Sequence, residues 1–305
     1  MEVLSIDQIK KDFGTKKVLR GISFSVEENS IFGFIGRNGA GKTTTMKMIL
    51  GLLSPDSGSI AVCGEPVRYG DTPTNRFIGY LPDVPEFYPY MRAKEYLRLC
   101  GEIAGVSGKE LTSRISELLK LVGLSKEKGR IGGYSRGMKQ RLGIAQALIG
   151  RPKLLICDEP TSALDPLGRK EILDILMAAR EETSVLFSTH ILSDVEKISD
   201  HVALLEGGEI KASGSIGEMK AMRAEAGVRL VLKRPEDAER IRGSFPGMVL
   251  KDGVIELPEL HEKEEGKLFR LLAEEKIPVI SFERKEPDLE ELFLEAISGK
   301  EEKQA

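Results

Sequence analysis

The chain has 305 residues, 41% hydrophobic and 30% charged, which is enough apolar content for a core and too much for a disordered chain. Its length predicts two unequal domains, because single cores stop growing at roughly 250 to 300 residues. Net charge is −3, split between 31 Lys/Arg against 28 Asp/Glu in residues 1–224 and 14 against 20 in residues 225–305, so a boundary is expected near 224.

No apolar run approaches the roughly 18 residues that cross a bilayer, and Met1 to Phe13 lack the pattern of a signal peptide. Cys63, Cys100 and Cys157 are odd in number and widely spaced, which fits neither a disulfide framework nor a metal site. The first 30 residues read as a β-rich edge, Val3 to Ile6 and Val18 to Val26, punctuated by Gly14 and Gly21. A buried strand, Ile31 to Ile35, leads through a glycine-rich turn into Thr43 to Leu53, where Met46, Ile49, Leu50 and Leu53 recur at helical spacing. Short strands and turns follow from Pro55 to Pro89, and a helical insert is expected over about 90–150.

Alternation then returns: helix Met138 to Ile149, strand Leu154 to Cys157, helix Leu167 to Ala179, strand Val185 to Ser188, helix Leu192 to Ile198, and strands near Val202 to Leu205 and Glu209 to Ala212. This order predicts an α/β domain with a largely parallel sheet covered on both faces. Past Met222 come strand Arg229 to Leu232, helix Pro235 to Arg242, strands Met248 to Lys251 and Val254 to Leu257, helix Glu262 to Glu275 and strand Val279 to Glu283. That βαββαβ order predicts a small α+β, ferredoxin-like domain. A last amphipathic helix over D-L-E-E-L-F-L-E-A-I precedes a charged tail. The expected domains are therefore 1–222 and 223–305.

Gly36-Arg37-Asn38-Gly39-Ala40-Gly41-Lys42-Thr43 fits G-x-x-x-x-G-K-[ST] between a buried strand and a helix, the setting this motif requires. Its glycines let backbone N–H groups turn toward phosphate oxygens, and the helix start adds partial positive charge. With Thr44 these residues form the candidate nucleotide-binding set of a P-loop NTPase; Lys42 would neutralise phosphates and Thr43 would give its hydroxyl to Mg²⁺. The absence of an N-K-x-D base reader argues against GTP. Four apolar residues, Leu154 to Cys157, end in Asp158 and Glu159 at the strand terminus where α/β sheets bind ligands. Asp158 is placed to hold Mg²⁺ through water, and Glu159 to polarise the attacking water.

Tyr134-Ser135-Arg136-Gly137-Met138-Lys139-Gln140-Arg141 is similar to the L-S-G-G-Q signature of ATP-binding-cassette (ABC) ATPases, from which Tyr134, Arg136 and Met138 depart. Ser162-Ala163-Leu164-Asp165 resembles that family's D-loop, and Ser188-Thr189-His190 its switch strand, whose histidine reaches the γ-phosphate. Phe13 matches the aromatic residue that stacks on adenine, while Asp83 stands after I-G-Y-L-P where a glutamine is usual. Aspartate can still ligate a hard cation, with a shorter reach.

The resemblance covers about residues 1–220 and implies an ATPase with ATP and Mg²⁺, in which Lys42, Glu159 and His190 are catalytic and Thr43, Asp158 and Asp83 face the metal. It implies a head-to-tail dimer with a second copy or a paralogous subunit, in which Ser135, Gly137 and Asp165 serve the seam between subunits. It also implies a separate integral-membrane permease and a place on the cytoplasmic face of the cell membrane. The D-L-E-E-L-F-L-E-A-I segment is similar to the C-terminal extension of cassettes serving export-type permeases. The rival readings are a soluble cassette ATPase acting on nucleic acid or ribosomes and a non-hydrolysing ATP sensor. A single set of motifs, no heptad arm and an acidic trailing domain weigh against the first, and no nucleic-acid partner is expected. Lys42, Asp158, Glu159 and His190 together weigh against the second.

Overall fold

Alternating burial draws Glu2–Phe13 (β1) and Lys16–Glu27 (β2) into an antiparallel hairpin. β1 runs beyond Ile6 because its outer half pairs with β2 while Lys10 and Asp12 face solvent, a polar stretch in which apolar alternation is invisible. The computed structural model describes residues 1–70, 72–221, 228–245, 247–251, 254–257, 260, 262–284 and 293. Its contacts separate one unit holding Met1–Ile216 from another spanning Gly217–Glu295.

The strand Ile31–Ile35 (β3) is buried at every position. Its chain turns into helix Lys42–Ile49 (α1), which stops short of the expected Leu53. Gly51 adopts φ 66°, a left-handed conformation that ends helices, and Leu52 N–H bonds back to the Lys47 carbonyl. Ser57–Val62 (β4) pairs with β1 and with the short Glu65–Pro66 (β5), giving an antiparallel sheet in the order β2-β1-β4-β5. Ile78–Leu81 (β6) is followed by helices Ala93–Ile103 (α2), Gly108–Leu121 (α3) and Arg136–Leu148 (α4). Leu97, Leu118 and Leu142 of these three helices are buried.

Leu154–Cys157 (β7), Pro166–Ala179 (α5), Ser184–Thr189 (β8), Leu192–Ile198 (α6), His201–Glu206 (β9) and Glu209–Ser215 (β10) complete the larger unit. The second sheet runs β10-β9-β3-β8-β7-β6, parallel except for the antiparallel edge strand β10. One apolar cluster joins both sheets through α1: Leu4, Ile9 and Ile22 meet Phe34, Met46 and Leu186. Phe24 closes on Phe32 and Phe34 with ring centroids 5.2 and 5.1 Å apart. Each fully buried side chain of this cluster, such as Phe34 or Met46, contributes about 1.5–3 kcal/mol, and the phosphate loop springs from it.

Ile216–Ala221 (α7) precedes the strands of the second unit. Val228–Leu232 (β11), a 3₁₀ turn at Pro235–Asp237, Ala238–Arg242 (α8), Val249–Lys251 (β12), Val254–Leu257 (β13), Glu262–Glu274 (α9) and Val279–Arg284 (β14) follow. The sheet order is β12-β13-β11-β14, antiparallel throughout. Leu230, Ile241, Ile255 and Leu268 form its own core. The helix expected over residues 288–297 lies outside the described residues, apart from a buried Phe293.

Candidate active site

Strand register brings the chemistry together. Ile35 pairs with Thr189, which sets the start of the phosphate loop beside His190; Cys157 pairs with Phe187, which sets Asp158 beside Ser188. Asp158 N–H also bonds to the Leu81 carbonyl, so the end of β6 joins the same edge. All of these positions lie at the carboxyl ends of parallel strands, where open α/β sheets bind ligands.

The loop from Gly36 to Gly41 is shaped for close approach. Gly41 has φ 118°, and a Cβ there would lie 2.7 Å from Leu19 Cδ2, so only glycine fits. Gly41 is also the N-cap of α1 and offers no capping side chain, while the first turn carries no acidic residue. The amides of the helix start therefore suit an anion. Phe13, Arg37, Asn38, Gly39, Gly41, Lys42, Thr43 and Thr44 line a cavity of about 580 Å³, joined by Asp83, Asp158, Glu159 and His190. Gly36 and Ala40 shape the loop without lining the cavity, and Gly36 packs against the Leu205 carbonyl.

Lys42 is buried, and its Nζ donates to the Gly36 carbonyl at 2.5 Å. It also stands 3.0 Å from Glu159 Oε1, outside hydrogen-bond geometry, so that buried oxygen has an ionic neighbour but no hydrogen-bond donor. The other oxygen, Glu159 Oε2, meets His190 Nδ1 at 2.8 Å, which requires the ring proton on Nδ1. Thr43 Oγ1 donates to Asp158 Oδ2 at 2.7 Å, and Ser188 Oγ donates to Asp158 Oδ1 at 2.6 Å. Ser188 Oγ also accepts from Glu159 N–H at 3.0 Å. Glu159 and Ala163 hold left-handed φ values of 47° and 52°, a costly conformation for non-glycine residues that clusters at functional loops.

Asp83 lines the same cavity. Burial raises its pKa above the usual carboxylate value, and the charges of Asp158 and Glu159 push the same way against Arg136 and a Ser162 hydrogen bond. Phe13 is half exposed at the end of β1, with the Lys11 ammonium 5.5 Å from its ring centre. Ser135 and Gly137 do not line the cavity; Ser135 caps α4 by accepting from Met138 N–H at 3.2 Å. Asp165 likewise caps α5, accepting from Gly168 N–H at 2.7 Å.

Sequence reasoning gave no separate role to Ser188, Ser162, Lys16 or Val18, yet the first joins both acidic residues and the other three line the cavity. A hydroxyl ending the apolar run Val185 to Phe187 was the available signal for Ser188. Lys16 and Val18 depend on the hairpin register that pairs Phe13 with Lys16, which no local pattern encodes.

Among the described residues no group of three or more His, Cys, Asp and Glu side chains is arranged to hold a metal. No helix among them is long and apolar enough to cross a membrane. The fold and this loop are those of a P-loop α/β ATPase. The family model for the ABC transporter matches residues 19–162, and the chain belongs to the ABC transporter ATP-binding proteins. It is 39% identical over 300 residues to the uncharacterized ABC transporter ATP-binding protein YxlF of Bacillus subtilis strain 168, covering 97% of this chain and 99% of that one. It is 36% identical to the bacitracin transport ATP-binding protein BcrA of Bacillus licheniformis, covering 97% and 98%. A solved ATP-binding subunit of an ABC transporter superposes with TM-score 0.65 at 32% identity, covering 73% of this chain and 93% of that one. The protein is the ATP-binding, ATP-hydrolysing subunit of an ABC transporter, and a permease partner follows from that assignment.

Proposed function

We propose that the chain drives export through a separate integral-membrane permease by closing and opening a pair of cassettes around two ATP molecules. The observation that carries this reading is the Glu159 carboxylate, held between Lys42 Nζ at 3.0 Å and His190 Nδ1 at 2.8 Å. There it can accept a proton from water while Lys42 and the loop amides hold the phosphates. His190 orients that carboxylate, and Phe13 offers a ring face for the base.

Mg²⁺ fits the oxygen donors present, Thr43 and Asp158 with Asp83 in the same cavity. It would supply charge neutralisation at the phosphates, arriving with the nucleotide rather than in a cage of protein ligands. Ser135 and Gly137 at the start of α4 would bind the phosphate of the ATP held by a second copy or a paralogous subunit, with Asp165 near the seam. Their position outside the cavity of their own subunit supports that division of labour.

The permease would dock beside Asp83 and the helical insert, where Val84, Tyr88 and Tyr90 are exposed, and a subunit docked there would lie on the cytoplasmic face of the membrane. The second unit's strand order and antiparallel pairing support a ferredoxin-like reading of residues 223–305. Its acidic balance suits an accessory role in regulation or closure. The extent of the match to the bacitracin transport protein, across both units, supports an export system with this extension. Co-expression with the permease should bring the chain into the membrane pellet in a permease-dependent manner. Retention in the supernatant with bound RNA would favour the nucleic-acid rival instead.

A further inference from the structure

We propose that Arg136 is a positioning residue that ties the Ser135–Gly137 turn to Asp83 and Ser162, linking the ATP cavity of its own subunit to the phosphate-binding end offered to the other. This rests on the two-subunit reading above and adds a path between the two ATP sites.

Arg136 is the first residue of α4, directly after the N-cap Ser135. Its Nε donates to the Ser162 carbonyl at 3.1 Å, and its Nη2 lies 3.4 Å from Asp83 Oδ1. One turn along α4, the buried Gln140 donates Nε2 to the Asp83 backbone carbonyl at 2.6 Å. Asp83 is thus gripped by α4 at both its backbone and its side chain, and Ser162 is gripped at its carbonyl. Asp83 and Ser162 line the cavity; Ser135 and Gly137 do not. Any displacement of the cavity wall at Asp83 is therefore carried to the first turn of α4, whose Ser135 cap holds it as a rigid piece.

The chemistry explains why arginine stands here. A planar guanidinium presents donors on separate edges and can hold two acceptors in one fixed geometry, whereas a lysine ammonium is a point charge on a flexible stem. Two departures from the family pattern, Arg136 in the signature's S-R-G-M turn and Asp83 after I-G-Y-L-P, are two halves of one contact. The contact is not built for stability. Both side chains are close to half exposed, at 44% and 46%, and pairs of that exposure add little to folding. A weak link between two working segments can break and reform within a cycle at low cost.

The test uses the full-length Glu159→Gln chain and Mg-ATP, reading by sedimentation velocity the ATP concentration at which half the chains associate. Arg136→Ala and Asp83→Ala should each raise that concentration about two- to five-fold, the range expected for an exposed charge pair. The double variant should go no further than the larger single effect, and Arg136→Lys should fail to restore the original value. Melting temperatures should stay close to the parent's, since neither side chain is in the core. Additive effects would overturn the proposal, because Arg136 would then act on the phosphate independently of Asp83. An unchanged ATP dependence in every variant would also overturn it, while leaving the two-subunit reading intact. A parent chain that binds ATP but never associates would remove that reading and this inference together.

Discussion

Ser188 shows how much one hydroxyl can organise. It donates to Asp158 and accepts from the Glu159 amide, so one side chain fixes both acidic residues of the site. Ser188→Ala would leave the buried Asp158 oxygen and the Glu159 amide each short of a partner, at about 1–3 kcal/mol of stability. Loosening Glu159 should lower kcat more than it raises KM for ATP; thermal melting and steady-state kinetics measure the two effects. Asp158 and Glu159 were legible in sequence because an apolar strand ending in two carboxylates is a local pattern. Ser188 acts across 30 residues of chain from Asp158, so only the register of β7 on β8 reveals its partners. For the same reason the sequence offers Asp83 as a metal-facing residue through its place after I-G-Y-L-P but gives no sign of its contact with Arg136.

At the scale of elements, β3, the loop and α1 form a unit whose sequence and geometry agree. The strand Ile31–Ile35 and the glycine pattern announced it, and the one error was the helix end, which propensity carried to Leu53 and Gly51 stops at Ile49. Met46 and Ile49 are buried as helical spacing required, but Leu52 is 62% exposed, beyond the turn that Gly51 makes. Gly41→Ala tests the loop itself. The added methyl would meet Leu19 and force a left-handed conformation that costs about 1–3 kcal/mol. ATP affinity should fall at least ten-fold, read by titration of a fluorescent ATP analogue, with Gly64→Ala as a control in open space far from the loop. The β-rich edge is legible at Val3 to Ile6 and Val18 to Val26, but the outer half of β1 is not, because Lys10, Lys11 and Asp12 hide the alternation.

For the whole molecule, the charge step suggests a boundary near residue 224, whereas the contacts divide the chain at Ile216 and Gly217. Residues 222–227, through which the expected boundary ran, lie outside the described residues. Every sequence motif for ATP chemistry falls in the larger unit, and the second carries a core of its own. If Glu159 is the base with which the larger unit hydrolyses ATP, turnover by the purified full-length Glu159→Gln protein reads it directly. Loss of one general base typically costs about 10²–10⁴-fold. kcat should fall by that much while ATP stays bound, and turnover near the parent rate would show that Glu159 is not the base.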